Sequence, residues 1–218
     1  MLIVHHLENS RSHRVIWALE ELQLPYEIKL YKRHPKTMLA PESLKQIHPI
    51  GKAPILEDEG TVIIESAVIL EYLRENYSEQ KLQPKNDSDD WQHYHYWMHA
   101  AEGSIMPYLV MKLVFEKTTQ SPVPFFVRPI TKAVAGQVFK SYIDPALEVF
   151  SEYLNSRLAQ SAWVAGEDFT LADIQLSYVV HALTEHYAKH RFEKISAYYR
   201  RLKERPAFKE AIRKGGPL

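Results

Sequence analysis

The spacing of apolar residues changes along the chain, and this change limits the folds that the sequence can adopt. In the first 80 of the 218 residues, short strand-like runs alternate with helical spacing: residues 2–4 are continuously apolar, and residues 26–31 alternate apolar with polar side chains. After residue 89 the 3.6-residue spacing of helices recurs in most segments. We therefore expect a small α/β unit followed by a unit built from helices alone.

The polar, proline-containing stretch between these two parts predicts a linker. The expected division is residues 1–80, a linker at 81–88 and an all-α bundle at 89–218. The first unit reads strand, helix, strand, then a hairpin and a second helix that begins at Ser66. In the second unit, Thr170 with Asp173 three residues later is typical of the capping box that starts a helix.

Composition excludes several classes of protein. The chain has no cysteine, so it can hold no disulfide, thiolate metal site or cysteine nucleophile. Basic and acidic side chains balance at 27 each, which argues against nucleic-acid binding by counterion release. No apolar run approaches the ~18 residues of a membrane span, and the N-terminal stretch lacks the basic and apolar regions of a signal peptide. We expect a cytoplasmic protein that binds no membrane.

Three short segments of the first unit carry residues that suit peptide or anion binding. Pro54 directly precedes a predicted strand, where a residue without an N–H marks a strand start or a tight bend. Ser66 opens a predicted helix, and the free N–H groups of a helix N-terminus suit a carboxylate. Ser10 and Ser12 lie between the first strand and the first helix, where α/β folds bind ligands.

Each of these signals also has a purely structural interpretation. Pro54 by itself is more simply a turn proline, and each serine is more simply the N-cap of its own helix. A cis bond before Pro54 would instead expose the backbone of residue 53 for pairing with an outside strand. The functional interpretation gains weight because the three segments occur together, in a definite order, within one small unit.

Taken together, these residues resemble the glutathione transferase family. The resemblance covers nearly the whole chain and rests on residues 9–22, 49–54, 64–73 and 166–174. The second of these stretches is similar to the family's cis-proline segment, and the third to its γ-glutamyl-binding segment. The resemblance implies an α/β thioredoxin-like N-terminal domain with an all-α C-terminal domain, usually in a homodimer. The Ser-Arg-Ser form of the first stretch is most similar to the bacterial and fungal serine-type branch.

The resemblance also implies roles for individual residues in binding glutathione, the cosubstrate. Glu65 would hold the amine of the γ-glutamyl group, and Ser66 would hold its carboxylate. The Ala53 backbone would pair with the cysteinyl part of the tripeptide, ahead of a cis bond to Pro54. Lys52 would lie near the glycine carboxylate.

The group that activates the thiol is open among three residues. Ser10 matches the activating hydroxyl of serine-type members, but Asn9 and Ser12 could each reach the sulfur as well. The tyrosine that is usual in other members is absent, and His5 and His6 lie nearby instead. A hydroxyl that donates to the sulfur at a helix N-terminus would favour the thiolate, which is the nucleophilic form.

An apolar wall for the electrophile is expected in the helical unit. The candidates are Tyr108, Met111 and Phe115, with Phe125 and Phe126 further along the chain. An apolar stripe of this kind is more often part of a core than of a ligand site.

Two histidine pairs have the i, i+4 spacing that suits a metal ion. They are His95 with His99 and His186 with His190. Neither pair carries the His-Glu-x-x-His pattern of zinc hydrolases, so we expect no metal site.

The sequence thus predicts an enzyme that conjugates the glutathione thiolate to small hydrophobic electrophiles. Two alternatives stay open. A glutathione-dependent peroxidase or disulfide reductase would have to use two glutathione molecules, because the chain itself has no cysteine. A non-catalytic interaction protein would keep the fold and lose the chemistry, although the Glu65-Ser66 pair argues against it.

Overall fold

The structure, a computed structural model, describes residues 1–85, 87–120, 122–187 and 191–217. Its strands are β1 (Leu2–Leu7), β2 (Tyr26–Tyr31), β3 (Ile55–Asp58) and β4 (Thr61–Ile64). Its α-helices are α1 (Ser12–Leu22), α2 (Ser66–Tyr77), α3 (Asp90–Ala100), α4 (Met106–Lys117), α5 (Arg128–Val138), α6 (Asp144–Gln160), α7 (Leu171–Ala182), α8 (Glu193–Glu204) and α9 (Pro206–Gly215).

The strands form one mixed sheet in the order β2-β1-β3-β4. β1 pairs with β2 in parallel and with β3 antiparallel, and β4 is antiparallel to β3. Every residue of β1 is buried, as expected for a central strand covered on both faces. The sheet with its helices confirms the predicted thioredoxin-like domain, and the helical second half confirms the predicted all-α bundle.

The helical half differs from the sequence prediction in its interruptions. The 3.6-residue apolar spacing over 91–115 predicts one continuous helix, but the structure has a π-helical segment at Ala101–Ile105 within it, and a second one at Phe139–Ile143 joins α5 to α6. α5 and α9 were not predicted, although each has a proline in its first turn, where a missing N–H costs nothing. No helix within the described residues is long and apolar enough to cross a membrane.

The start of α7 is as predicted. Thr170 and Asp173 form a capping box, and the fully buried Asp173 carboxylate also accepts hydrogen bonds from the Val164 N–H and the Tyr198 hydroxyl at 3.1 and 2.7 Å. Burial raises the pKa of Asp173, while these donors oppose the shift by favouring the charged form. This end of α7 is therefore held by several satisfied polar contacts.

Helix α1 connects the sheet to the helical half. Its Trp17 ring is fully buried and meets Phe208 of α9 edge to face at 4.9 Å between centroids. Glu21 near its C-terminus accepts two hydrogen bonds from Arg205, at 2.6 and 2.7 Å. The middle and the C-terminal end of α1 are thereby held against the helical half, while the helix also packs on β1.

Candidate active site

Strand register brings the three segments singled out in the sequence to one end of the sheet. His5 near the end of β1 pairs with Ile55 at the start of β3, and Ile55 pairs with Ile64 at the end of β4. The residues that follow β1, precede β3 and follow β4 are therefore neighbours. These residues are 9–12, 52–54 and 65–66.

Helix α2 begins at this end of the sheet with its N–H groups unused. Glu65 accepts the N–H of Ile69, so the N–H groups of the first helical residues have no partner within the helix. The Ser66 residue is 4% exposed. Its hydroxyl makes no hydrogen bond within the described residues, and the hydroxyl oxygen remains accessible to solvent. This arrangement can donate several hydrogen bonds to a carboxylate.

Glu65 itself lies in an unusual backbone conformation. Its φ angle is 71°, in the region that favours glycine, and its side chain is exposed. The conformation costs of order 1–3 kcal/mol in a residue with a Cβ. The exposed carboxylate is free to meet a cation such as an amine.

The segment before β3 presents backbone and a lysine at the same end. The bond between Ala53 and Pro54 is cis. Pro54 is buried, Ala53 is half-buried, and the Lys52 side chain is exposed. Within the described residues Lys52 makes no ion pair, so its charge remains available at the rim of the site.

The residues after β1 contain a continuous chain of hydrogen bonds. The Ser10 and Ser12 hydroxyl oxygens are 2.7 Å apart, and the Ser12 oxygen lies 2.7 Å from His6 Nδ1. His6 Nε2 lies 2.7 Å from the carbonyl oxygen of Gly215, the last residue of α9. Ser12 and His6 are at most 1% exposed, whereas Ser10 is 8% exposed, so the Ser10 end of the chain is the more accessible to solvent.

The loop that carries Asn9 and Ser10 is held from two sides. Arg33 donates to the carbonyl oxygens of Glu8 and Asn9, both at 3.0 Å, and the Tyr178 hydroxyl of α7 donates to the Ser10 carbonyl. Asn9 has a φ of 50° and an exposed side chain. The loop conformation is thus set by contacts that leave the Asn9 and Ser10 side chains at the site.

A charged pair joins α1 to the helical half beside this loop. The Glu102 carboxylate accepts from the fully buried Arg14 guanidinium at 2.5 Å and lies 2.9 Å from Arg11. The Arg14 guanidinium also lies over the Tyr178 ring, 5.1 Å from its centroid. Burial raises the pKa of Tyr178 to about 12, so this tyrosine stays protonated and donates.

The predicted apolar wall on α4 mostly packs against other helices. The Tyr108 ring lies 5.5 Å from that of Tyr142 and 6.3 Å from that of Phe150, and the Phe115 ring lies 6.4 Å from that of Phe139. Met111 is partly buried against the core, and Phe125 and Phe126 are exposed. These contacts are those of helix packing.

A groove of about 410 Å³ lies on the other side of α4, against α7 and the segment after it. It begins about one turn beyond Glu102 and Tyr178, the residues that contact the Arg11 and Ser10 loop. Its apolar lining comes from Met106, Leu109, Val110 and Leu113, and its polar lining from Lys112, Glu116, Glu185 and His186.

The histidine pairs remain without a metal assignment. His95 and His99 are both exposed, and the described residues contain no group of three metal-ligating side chains. His190, the partner of His186 in the second pair, lies outside the described residues.

Comparison with known proteins identifies the family. A model described as glutathione S-transferase, N-terminal domain, matches residues 10–76, and one described as glutathione S-transferase, C-terminal domain, matches residues 123–215. Glutathione S-transferase 3 of Schizosaccharomyces pombe is 34% identical over 215 residues, which cover 98% of this chain and 88% of that protein.

Solved structures agree with this assignment. A glutathione S-transferase from Actinobacillus pleuropneumoniae has a TM-score of 0.79 at 30% identity, covering 99% of this chain and 93% of that one. The Phanerochaete chrysosporium protein Ure2p5, cocrystallised with 1-(S-glutathionyl)-2,4-dinitrobenzene, has a TM-score of 0.73 at 20% identity and covers 98% and 94%.

The chain therefore belongs to the glutathione S-transferase family. The predicted enzyme class is confirmed: it is a glutathione transferase, with glutathione as the cosubstrate.

Sequence reasoning missed the residues that hold the site from a distance. His6 was noted only for its position near the first loop, and Arg33, Glu102 and Tyr178 were not singled out. Their partners lie far away in the sequence, since the Tyr178 hydroxyl reaches a carbonyl 168 residues earlier. No local pattern signals such contacts.

Proposed function

We propose that this enzyme conjugates the glutathione thiolate to small hydrophobic electrophiles. One observation carries the proposal: the strand register gathers a free helix N-terminus, an unpaired backbone segment and a serine hydroxyl at one end of the sheet. These features match the parts of glutathione in order, namely a carboxylate with an amine, a peptide backbone and a thiol.

The γ-glutamyl group would lie at the start of α2. Its carboxylate would accept from the Ser66 hydroxyl and the free N–H groups, where the helix dipole favours negative charge. Its amine would meet the exposed Glu65 carboxylate. The strained φ of Glu65 supports this assignment, because such conformations cluster at ligand-binding sites.

The rest of the tripeptide would extend along the segment before β3. The cysteinyl backbone would pair with Ala53 ahead of Pro54, and Lys52 would approach the glycine carboxylate. The exposure of Lys52 limits its contribution, because ion pairs in water contribute only about 0–1 kcal/mol.

The thiol would be activated at the start of α1. A free thiol has a pKa near ~8.5, so lowering it by about two units requires about 2.7 kcal/mol of preference for the thiolate. A hydrogen bond to a charged group supplies ~1.5–3 kcal/mol, and the helix N-terminus adds to it. Ser10 is our preferred donor, because it is the more exposed of the two serines, and Asn9 and Ser12 stay open as alternatives.

The electrophile would occupy the groove between α4 and α7. Met106, Leu109 and Val110 give it an apolar surface, and it begins about one helical turn beyond Glu102 and Tyr178, which contact the Arg11 and Ser10 loop. The stripe of Tyr108, Met111 and Phe115 stays open as the alternative electrophile wall. The ligand named for Ure2p5, a glutathione conjugate of a nitroaromatic ring, is of the kind that such a surface suits.

We also propose the boundaries of the two units, the oligomeric state and the cellular location of the enzyme. The glutathione-binding unit spans residues 1–80 and the helical unit residues 89–218. The enzyme works as a homodimer, as is usual in its family. It is located in the cytoplasm, which is consistent with its cysteine-free composition.

The test is turnover of a chromogenic aryl halide with glutathione, compared with reduction of a hydroperoxide and of a mixed disulfide. We expect aryl conjugation to dominate and to fall in Ser10→Ala. Dominant peroxide or disulfide reduction would instead favour the redox alternative, and glutathione binding without any turnover would favour the non-catalytic one.

A further inference from the structure

Three hydrogen bonds link Gly215 to Ser10 through His6 and Ser12, and the donor in each can be assigned. The Gly215 carbonyl oxygen only accepts, so the His6 Nε2 atom at 2.7 Å carries a hydrogen and donates it. In a neutral imidazole Nδ1 is then an acceptor, and the Ser12 hydroxyl at 2.7 Å donates to it. The Ser12 oxygen, having used its own hydrogen, accepts the hydrogen of the Ser10 hydroxyl at 2.7 Å.

This direction conflicts with thiolate stabilisation by Ser10. The only hydroxyl hydrogen of Ser10 is committed to Ser12, so Ser10 faces the cleft with its lone pairs. Turning that hydrogen outward would leave two oxygens 2.7 Å apart with no hydrogen between them. If Ser12 donated instead to the Leu7 carbonyl at 3.4 Å, its contact with His6 would require a hydrogen on Nδ1.

A second hydrogen on His6 removes the conflict by reversing the chain. Nδ1–H then donates to Ser12, the Ser12 hydroxyl donates to Ser10, and the Ser10 hydroxyl is free to donate to the sulfur. The geometry is unchanged, because only the hydrogens move.

We propose that His6 takes up the proton of the glutathione thiol through Ser10 and Ser12. The inference rests on the proposed function. The S–H bond breaks as its proton forms a bond with the Ser10 oxygen, the Ser10 proton passes to Ser12, and the Ser12 proton passes to Nδ1. The products are a thiolate that accepts from Ser10 and an imidazolium, so the net charge is unchanged and no proton leaves the protein.

The surroundings of His6 are consistent with both of its states. Burial lowers the pKa of His6, which keeps it neutral before glutathione binds, while Glu8 and the Gly215 carbonyl oppose that shift. The carbonyl is at the C-terminus of α9, where the helix dipole favours a cation. On α1, His13 would repel the imidazolium only if charged, and burial holds the pKa of His13 at about 3.

Lys214, the residue before Gly215, pairs with Glu20 of α1 at 2.5 Å, and the charged side chain that acts on the pKa of His6 is Glu8, which favours the cation. The new negative charge on the sulfur also favours a proton on His6. His6 is therefore a positioning residue that acts on the thiolate through the two serines.

Counting protons tests the relay directly. Calorimetric titration of the full-length enzyme near pH 7 in two buffers of different ionisation enthalpy gives the number of protons released on binding. S-methylglutathione, which has no thiol, gives the baseline, and ultraviolet absorbance reports thiolate formation. For the unmodified enzyme we expect glutathione and S-methylglutathione to release the same number of protons, although a thiolate forms.

Breaking the relay should send the proton to the solvent. In Ser12→Ala, and in His6→Asn, whose amide cannot be protonated, glutathione should release about one more proton per thiolate than S-methylglutathione does. His5→Asn is the matched control, because His5 is an equally buried histidine of the same strand and contacts Tyr31 and Glu57 instead. Its proton count should equal that of the unmodified enzyme.

The outcomes separate the relay from the proposed function. If the unmodified enzyme forms the thiolate and releases about one proton, the relay is wrong and the proposed function stands. If neither ligand binds, the proposed function is wrong. Ser12→Ala removes one buried oxygen only, so it gives the proton count even where His6→Asn fails to fold.

Discussion

The two helix N-termini at the active site differ in the state of their serines. At the start of α2 the Ser66 hydroxyl has no partner within the described residues and remains in contact with solvent. At the start of α1 the hydroxyls of Ser10 and Ser12 are both engaged in a chain that ends in α9. The α2 end can therefore bind an anion as it stands, whereas the α1 end must rearrange its protons first.

This difference suits the two groups that the helix ends would bind. A carboxylate is already charged at neutral pH, so it needs only waiting donors. A thiol becomes an anion only when it loses a proton, so its site needs an acceptor before it needs a donor.

The largest effect should come from the α1 end, where Ser10→Ala removes the donor to the sulfur. We expect kcat/KM for conjugation to fall about 10- to 100-fold, since a hydrogen bond to a charged group is worth ~1.5–3 kcal/mol. The thiol pKa of bound glutathione, read from the pH profile, should rise in the same variant. Affinity for S-methylglutathione should stay unchanged; a matching loss of that affinity would show that Ser10 only shapes the site.

Ser66→Ala should affect binding and not the chemical step. We expect the Kd for glutathione to rise about tenfold, with kcat nearly unchanged, because the lost bond is present equally in ground and transition states. Calorimetry and steady-state kinetics measure the two values. Ser78→Ala, at the other end of α2, is the control: its hydroxyl bonds the Arg74 carbonyl at 2.7 Å, and glutathione affinity should not change.

Acid should lower the stability of the folded protein through His13, a buried histidine of α1. His13 has a folded-state pKa of about 3 because of burial, against 6.5 in the unfolded chain, so the unfolded state binds more protons between these values. The contribution of His13 to the free energy of unfolding is thus fully present above pH 6.5 and is lost as the pH falls. At one pH unit below 6.5 the loss is about 1.4 kcal/mol.

Replacing His13 with leucine should remove this contribution. We expect the melting temperature of His13→Leu to depend less on pH in mildly acidic buffer, while its value near pH 8 changes little. His99→Leu, at an exposed position, is the control. An unchanged pH dependence in His13→Leu would show that this histidine is not the source of acid sensitivity.

Lys52→Met should have the smallest effect. We expect the Kd for glutathione to rise about 1.4- to fivefold at low salt, as for an exposed ion pair of ~0.2–1 kcal/mol, and the difference to vanish at high salt. Titrations at two ionic strengths measure it. Lys29→Met on the edge strand β2 should leave the affinity unchanged, and a salt-independent loss in Lys52→Met would contradict an ionic role.

Sequence patterns predicted the elements well where the signal was local. The apolar spacing over 12–22 predicts the helix observed as α1, the alternation over 26–31 predicts β2, and the capping box starts α7 as expected. The α4 stripe was less informative, because apolar spacing shows that a face is covered without showing by what. Tyr108 and Phe115 pack on α6 and the π-helical segment before it, and the groove beside Met106 lies on another face.

The periodicities, the capping residues and the order of the binding segments could be predicted from the sequence, because they depend on residues a few positions apart. The direction of the hydrogen bonds at Ser10 could not be predicted in this way. It depends on a hydrogen bond between His6 and Gly215, 209 residues apart, which exists only once α9 has packed against α1. The direction of a proton in a buried chain follows from the partner at its far end.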